Sequence, residues 1–266
     1  MRKASMLTRH VFAVMIAGMA MVLMTVPAGA GAIMDKAGAE RLFSSANAMY
    51  DEGKYSEAAA EYEKIMDGGY ESGPLYFNAG NAYFRAGNIG KAVLNYERAA
   101  RLMPRDADLR TNYGYASAGV KDRVLAKRAL WDWGPFRRYS AALTVNEITL
   151  IASACFLAVL CLFVIGLVFP AIRRHCAAVS VLAVILLAIN IALLTHRVAS
   201  ESGSCVVTVP AANAMYGPFE SATKFFSVSE GMHLEILEEK DEWVKVKRAD
   251  GKTGWLKKGD VEEVRP

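Results

Sequence analysis

Residues that bind metal ions or form disulfides are scarce in this sequence. Its 266 residues include four cysteines and four histidines, and no two cysteines stand in a Cys-x-x-Cys pair. Cys155, Cys161 and Cys176 fall in or beside long apolar stretches, where a thiol usually packs as a small apolar group. We therefore expect no structural metal site, no disulfide framework and no bound cofactor.

An excess of positive charge is also lacking once the N-terminus is set aside. Arg2, Lys3 and Arg9 supply three of the 31 basic residues, and the rest of the chain carries 28 basic against 27 acidic residues. Proteins that bind nucleic acids need a concentrated basic face, because contacts to the phosphates dominate their affinity. The charge balance therefore argues against a nucleic-acid-binding protein.

What the sequence has in abundance is apolar surface. Hydrophobic residues make up 53% of the chain and the mean hydropathy is +0.19, which is too apolar for a water-soluble single domain. The first thirty residues have the parts of a secretory signal peptide: a basic start, an uncharged run over 11–26, and small residues at Ala28 and Ala30. Two outcomes stay open, cleavage after Ala30 and retention as an uncleaved anchor, and both export the chain that follows.

Two further uncharged runs, residues 148–169 and 176–195, are each long enough to cross about 30 Å of hydrocarbon as a helix. The short link over 170–175 forces them into an antiparallel transmembrane hairpin. Asn190 is the most polar residue of the second run, and we expect its amide to hydrogen-bond either inside the hairpin or to a partner span.

The export signal sets the expected topology, because it acts first during insertion. Residues 31–147 and 197–266 are exported, and the link with Arg173 and Arg174 stays in the cytoplasm. The juxtamembrane segment, 129–147, is rich in aromatic and basic side chains that suit the headgroup layer. We expect a protein of the bacterial inner membrane whose two folded modules lie on the periplasmic side.

The first exported module, residues 31–128, repeats with a period of 34. Pairs at this offset are Asn47/Asn81, Gly53/Gly87, Ala58/Ala92, Tyr62/Tyr96 and Glu63/Glu97. The period is typical of tetratricopeptide repeats, helix-turn-helix units that bury their apolar faces by stacking on neighbours. We place repeats at 39–72 and 73–106, followed by a capping helix that has no paired second helix. Because about three repeats usually stand alone, we expect this array to lean on the membrane segment or a partner.

The first helices of such repeats line a concave face, and the tyrosines Tyr62, Tyr83 and Tyr96 are expected in the core. Residues expected on the concave face are Asn47, Tyr50, Asn78, Asn81, Phe84, Arg85 and Asn112. Asparagine amides can both donate to and accept from the backbone of an extended peptide. The alternative is that these asparagines hold the helical stack together, and the sequence does not choose between the two.

The second exported module, residues 204–266, changes to short alternating runs separated by turn dipeptides. Expected strands are Cys205–Val209, Lys224–Val228, His233–Leu237, Trp243–Lys247 and Gly254–Leu256. About sixty residues with such strands suit a small all-β barrel. The stretch from Trp243 to Leu256, with its hairpin dipeptide Asp250-Gly251, resembles the bacterial SH3 domain.

The SH3 resemblance implies binding of cell-wall peptides or protein segments. Tyr216, Phe226 and Trp243 form the candidate ligand surface on the SH3-like domain. Trp255 has two possible roles, barrel core or recognition, and we favour the core.

The expected modules follow one another as a signal peptide, all-α tetratricopeptide repeats, a transmembrane α-hairpin and an all-β SH3-like barrel. This order resembles that of the BatE-like proteins of the Bacteroides aerotolerance (Bat) operon family. The resemblance implies work beside von Willebrand A-domain membrane proteins and a MoxR-type ATPase, in envelope stress tolerance or assembly of exported proteins.

Three classes of function compete for this sequence. We rank first an adaptor that holds exported protein segments in the repeat groove, and second a peptidoglycan-binding anchor that acts through the SH3-like domain. An enzyme ranks last, since the exported residues contain no nucleophile with a base, no glycine-rich phosphate loop and no metal-ligand spacing.

Overall fold

The computed structural model describes residues 34–121, 142–201 and 203–265. The predicted signal peptide and most of the juxtamembrane segment lie outside these residues. The described chain divides into two compact units. One unit contains the apolar helices from Val145 to His196, and the other combines the helical and β modules.

Residues 34–121 form a series of helices, each packed against the next. The helices are α1 (Lys36–Asp51), α2 (Tyr55–Asp67), α3 (Gly73–Arg85), α4 (Ile89–Leu102) and α5 (Ala107–Ala118). Side-chain oxygens of Ser72, Asn88 and Asp106 accept backbone N–H groups in the first turns of α3, α4 and α5. Such caps satisfy N–H groups that have no partner inside a helix and so fix where each helix begins.

The turn inside each helical pair explains one of the repeated glycines. Gly53 follows α1 and Gly87 follows α3, with φ of +80° and +84°, and a Cβ on either glycine would meet open space. The backbone conformation, rather than crowding, therefore requires glycine at both turns, because L-residues with side chains rarely adopt it.

The core of the repeats is built from alanines and tyrosines. Ala46, Ala58, Ala79 and Ala92 are fully buried, which lets the helices approach closely. A Cβ on Gly80 would lie only 2.7 Å from the ring of Tyr96. Tyr62, Tyr83 and Tyr96 are all buried, as predicted. The helical-repeat part of the predicted fold is confirmed.

The apolar unit has two long helices, α6 (Val145–Val168) and α7 (Arg173–Glu201), joined by Phe169 and a single 3-10 turn over Pro170–Ile172. Both are long and apolar enough to cross a membrane. Gly166 and Cys176 are buried beside the turn, and a Cβ on Gly166 would lie 3.5 Å from the Cβ of Cys176.

Asn190 bonds within its own helix and not across the hairpin, and a bond to a partner span stays a prediction. Its Nδ2 donates to the carbonyl oxygen of Leu186, one turn earlier in α7, at 2.9 Å. Its buried Oδ1 has no hydrogen-bond partner among the described residues. The amide nitrogen of Asn190 therefore donates to a carbonyl oxygen of its own helix, a local bond that is common for polar side chains within helices.

Residues 203–265 form one antiparallel sheet. Its strands are β1 (Ser204–Val207), β2 (Ala211–Met215), β3 (Lys224–Ser229), β4 (His233–Lys240), β5 (Trp243–Lys247), β6 (Thr253–Lys257) and β7 (Val261–Glu263). The spatial order is β3-β2-β6-β5-β4-β1-β7. We call residues 203–265 the β domain. The all-β part of the predicted fold is confirmed.

The sequence did not predict β2 and β7. β2 is Ala-Ala-Asn-Ala-Met, which lacks the β-branched and aromatic residues that favour strands. Alanines fit there because the sheet is crowded: a Cβ on Gly254 would come within 2.9 Å of Ala214. β7 has only three residues, two of them acidic, and it pairs with β1.

The β domain has its own core but shares apolar contacts with the repeats. Its interior includes Val207, Phe226, Val246 and Leu256. Val206 and Val264, by contrast, are buried in the same cluster as the repeat core. The array was expected to lean on the membrane segment or a partner, and in the structure it packs against the β domain.

Candidate functional site

A depression of about 300 Å³ opens on the side of the repeats formed by the first helices. It is lined by Asn47, Tyr50, Asp51, Tyr62, Asn78 and Asn81. Four of these were predicted for the concave face, and α1 and α3 carry them. We call this depression the groove.

The groove asparagines are joined in two hydrogen-bonded sets that recur at the repeat period. The Oδ1 of Asn47 accepts from the hydroxyl of Tyr62 at 2.5 Å and from the Nδ2 of Asn78 at 3.2 Å. One repeat later, the Oδ1 of Asn81 accepts from Tyr96 at 2.7 Å and from the Nδ2 of Asn112 at 2.9 Å. Each set ties a first helix to its own second helix and to the next repeat. We call the two sets the asparagine ladder.

The tyrosine hydroxyls act as donors in this ladder. Burial raises the pKa of Tyr62 to about 12 and raises the pKa of Tyr96 further in the same direction. Both phenols therefore keep their protons at physiological pH, and each asparagine oxygen accepts two hydrogen bonds. The asparagines hold the helical stack together and also line the groove, and binding of a peptide by them stays a prediction.

The asparagine ladder uses the side-chain oxygens of Asn47 and Asn81 but not their amide nitrogens. Among the described residues, no hydrogen bond involves the Nδ2 groups of Asn47 and Asn81. A side-chain amide has two N–H donors on this nitrogen. The groove thus presents N–H donors at two positions one repeat apart, so it complements a ligand that brings oxygen acceptors.

Three residues predicted for the concave face, Phe84, Arg85 and Asn112, do not line the depression, although Asn112 belongs to the asparagine ladder. Phe84 packs half-buried against the repeat core. Arg85 donates its Nη2 to the hydroxyl of Tyr55 at 2.6 Å, and its guanidinium carbon lies 4.8 Å from the centre of the Tyr55 ring. Tyr55 in turn packs edge-to-face on Tyr50, with ring centroids 5.2 Å apart. Arg85 therefore holds Tyr55 in place, and Tyr55 packs on Tyr50.

The sequence analysis missed Asp51 and the hydroxyl of Tyr62 as groove groups. Tyr62 was predicted to be core, and its ring is indeed buried. The spacing of fifteen residues from Asn47 to Tyr62 recurs from Asn81 to Tyr96, and this recurrence is the signal that could have revealed the ladder.

The predicted ligand surface of the β domain needs correction. Phe226 is 7% exposed and belongs to the domain core, and Trp243 is 9% exposed. Tyr216 alone of the three is exposed, at 64%. Phe225 and Phe226 are consecutive in β3, so one of them must point inward and the other outward, and sequence could not tell which.

Tyr216 packs against another exposed aromatic side chain. Tyr216 stacks on Phe225 with ring centroids 4.4 Å apart, and Phe219 is exposed in the same connection between β2 and β3. We call the stacked pair Tyr216 and Phe225 the aromatic cluster. A contiguous exposed apolar patch commonly marks an interaction site.

The two tryptophans of β5 and β6 are covered by lysines. Lys245 lies 5.7 Å from the ring of Trp255, and Lys257 lies 5.9 Å from the ring of Trp243. Trp255 is buried, as predicted, but on the face of β6 opposite Leu256, which belongs to the domain core.

Cys205 in β1 offers a simple test of the β domain. It is fully buried, and burial raises the pKa of its thiol to about 12. Because the thiolate is the reactive form, Cys205 should resist alkylation by iodoacetamide at pH 8 in the folded chain and react after denaturation in urea. Mass spectrometry of peptides locates the modified residue, and alkylation of Cys205 without denaturant would contradict the buried position.

Among the described residues, no three His, Cys, Asp or Glu side chains come together in a group that could hold a metal ion.

Comparisons with known proteins identify two modules. Residues 73–106 match the family model described as Tetratricopeptide repeat, and residues 209–263 match the model described as Bacterial SH3 domain. A search of the curated proteins found no match to the chain. Both modules are typically non-catalytic, and together they support a role in protein interaction or peptidoglycan binding. Neither match points to the Bat operon family in particular.

Proposed function

We propose that the protein is a non-catalytic adaptor of the inner membrane that holds segments of exported proteins in the groove. The observation that carries this proposal is the pair of unused N–H donors on Asn47 and Asn81. Their spacing by one repeat gives an extended ligand two points of attachment.

An extended polypeptide carries the oxygen acceptors that match the N–H donors of the groove. Each residue of a peptide backbone carries a carbonyl oxygen with two lone pairs. The N–H groups on Asn47 and Asn81 can donate to these oxygens, while the half-buried ring of Tyr50 offers apolar contact beside them. The asparagines do not have to rearrange to bind, because the ladder already fixes them through their oxygens. Preorganisation of this kind lowers the entropy cost of association.

The two apolar helices support a membrane location. Along α6 and α7 most large apolar side chains are exposed, which is unfavourable in water and favourable in lipid. Together with the predicted export signal of the N-terminus, this supports our proposal of an adaptor anchored in the inner membrane, with the repeats and the SH3-like domain on the periplasmic side.

The order of modules supports a Bat-type complex as the setting. In this proposal the partners are von Willebrand A-domain membrane proteins and a MoxR-type ATPase, and the adaptor serves envelope stress tolerance. The support is the resemblance of module order, to which both family matches conform.

A second candidate function is a peptidoglycan-binding anchor that acts through the SH3-like domain. The exposed aromatic cluster favours it, since stacked Tyr216 and Phe225 offer a rigid surface for a ligand. The bacterial SH3 match favours the same function.

The groove can be tested by changing its donors while keeping the ladder. In the double variant Asn47→Asp with Asn81→Asp, each carboxylate retains an oxygen that accepts from tyrosine and asparagine, but the N–H donors become anionic acceptors. Repulsion of peptide carbonyl oxygens should lower partner recovery from solubilised membranes about tenfold, the effect of losing hydrogen bonds worth about 1.4 kcal/mol.

The matched control is Asn88→Asp. Asn88 caps α4 through its Oδ1, and aspartate caps helices equally well, so recovery should stay unchanged. Equal recovery for the double variant and this control would reject the groove as the binding site. Retention on isolated sacculi that depends on Tyr216 would favour the anchor instead.

A further inference from the structure

The end of the repeat array is covered by the β domain. The helix α4 packs directly against β1. We propose that the β domain is the terminal cap of the array, docked on α4 in the place that the second helix of a third repeat would take.

The repeat period supplies the first argument, because contacts between repeats can be compared with contacts to the β domain. Glu63 in α2 pairs with Lys91 in the next second helix at 2.6 Å, and the Nζ of Lys91 also donates to the hydroxyl of Tyr83, in the next first helix, at 3.3 Å. Glu97 stands one period later in α4.

Glu97 also contacts the next first helix and, beyond it, a basic side chain, which here belongs to the β domain. The hydroxyl of Tyr113, in the next first helix, donates to its Oε1 at 2.8 Å, and the Nε2 of His233 lies 3.8 Å from its Oε2. His233 begins β4. The β domain thus reaches Glu97 as α4 reaches Glu63, so it occupies the position of the next second helix.

Close approach at Gly90 gives the second argument. Gly90 lies in the first turn of α4, and a Cβ there would come within 2.7 Å of the Val207 carbonyl oxygen and 3.0 Å of the Thr208 Cα. Both are backbone atoms of the β domain and cannot move aside as a flexible side chain can. The packing of α4 on β1 therefore requires a residue without a side chain at this position.

Polar contacts give the third argument. Arg98 donates its Nη2 to the Glu262 Oε1 and to the Glu263 carbonyl oxygen, both at 2.8 Å. Its counterpart one period earlier, Lys64, instead pairs within its own helix with Glu61 at 2.6 Å. Arg98 therefore bonds to the β domain, whereas Lys64, its equivalent in the preceding repeat, bonds only within its own helix.

Capping by the β domain has a consequence for the groove. The last set of the asparagine ladder depends on Tyr96, which sits in α4, the helix that contacts β1. Undocking of the β domain would therefore loosen the end of the groove, although the two lie on different sides of α4.

Two glycine-to-alanine variants of the full chain in detergent provide the test, with hydrogen exchange read by mass spectrometry. Gly114 lies inside α5, and a Cβ there would meet open space. Gly114→Ala should leave exchange unchanged or slow it up to about fivefold, because alanine favours helix over glycine. Gly90→Ala should instead accelerate exchange about tenfold in α4, α5 and β1 together, because its Cβ separates packed surfaces. If Gly90→Ala slows exchange as Gly114→Ala does, the proposal is wrong.

A second pair of variants keeps the test decisive if Gly90→Ala fails to fold. Arg98→Ala removes bonds to the β domain, whereas the period-matched control Lys64→Ala removes only a pair within α2. We expect Arg98→Ala to accelerate exchange several-fold in β1 and β7 as well as in α4, and Lys64→Ala to change neither strand. An effect of Arg98→Ala confined to α4, or no effect, would overturn the cap.

Discussion

Replacement of Tyr96 by alanine should destabilise the unit that contains the repeats and the β domain by about 3 to 5 kcal/mol. The Tyr96 side chain is 1% exposed, packs against Gly80, and donates to Asn81 in the ladder. The truncation leaves a cavity in the repeat core and removes the donor from a ladder oxygen. The thermal midpoint, followed by the helical circular dichroism signal, should fall by about 10 °C.

The matched control for this variant is Tyr115→Ala in α5. Tyr115 is 66% exposed, so its truncation should cost under about 0.5 kcal/mol. Similar midpoints for the Tyr96 and Tyr115 variants would show that the repeat core is not packed as described.

Replacement of Trp255 by alanine should also destabilise the β domain, by about 1.5 to 3 kcal/mol, because it removes apolar surface that is buried outside the domain core. The ring is 8% exposed and is covered by Lys245. The readout is tryptophan fluorescence or hydrogen exchange of β5 and β6 in the full chain. Exchange should accelerate across these strands, because they pair along their length.

The variant Tyr216→Ala tests ligand binding, whereas Trp255→Ala tests stability. Tyr216 is exposed and stacked on Phe225, so the variant should fold with a nearly unchanged midpoint and lose affinity for a ligand of the aromatic cluster. If Trp255→Ala instead melts like the unmodified chain and loses a ligand, Trp255 is the recognition residue.

The helical repeats were predictable because stacking imposes a period on the sequence. The pairs Gly53/Gly87 and Tyr62/Tyr96 recur since each repeat needs the same turn and the same core side chain. The sequence thus showed that these glycines recur and predicted that the tyrosines are buried. It also predicted four of the groove residues, because the asparagines recur in the first helices.

Features made by contacts between distant segments could not be predicted in this way. Nothing near Gly90 in the sequence reveals that Val207 will approach its Cα, because the two lie in different modules. The inward side of β3 was equally hidden, since Phe225 and Phe226 are alike in hydrophobicity. β2 escaped prediction because its alanines favour strands only within the crowded sheet around Gly254.

The most direct measurement of the central claim is site-specific photocrosslinking in intact membranes. A photoreactive phenylalanine analogue replaces Tyr50, which lines the groove, or Glu57, which is exposed on α2 and does not line it. Mass spectrometry identifies the crosslinked material. The account predicts that the analogue at position 50 captures polypeptide segments and that the one at position 57 does not. Equal capture at both positions, or capture of peptidoglycan alone, would contradict a groove that holds exported protein segments.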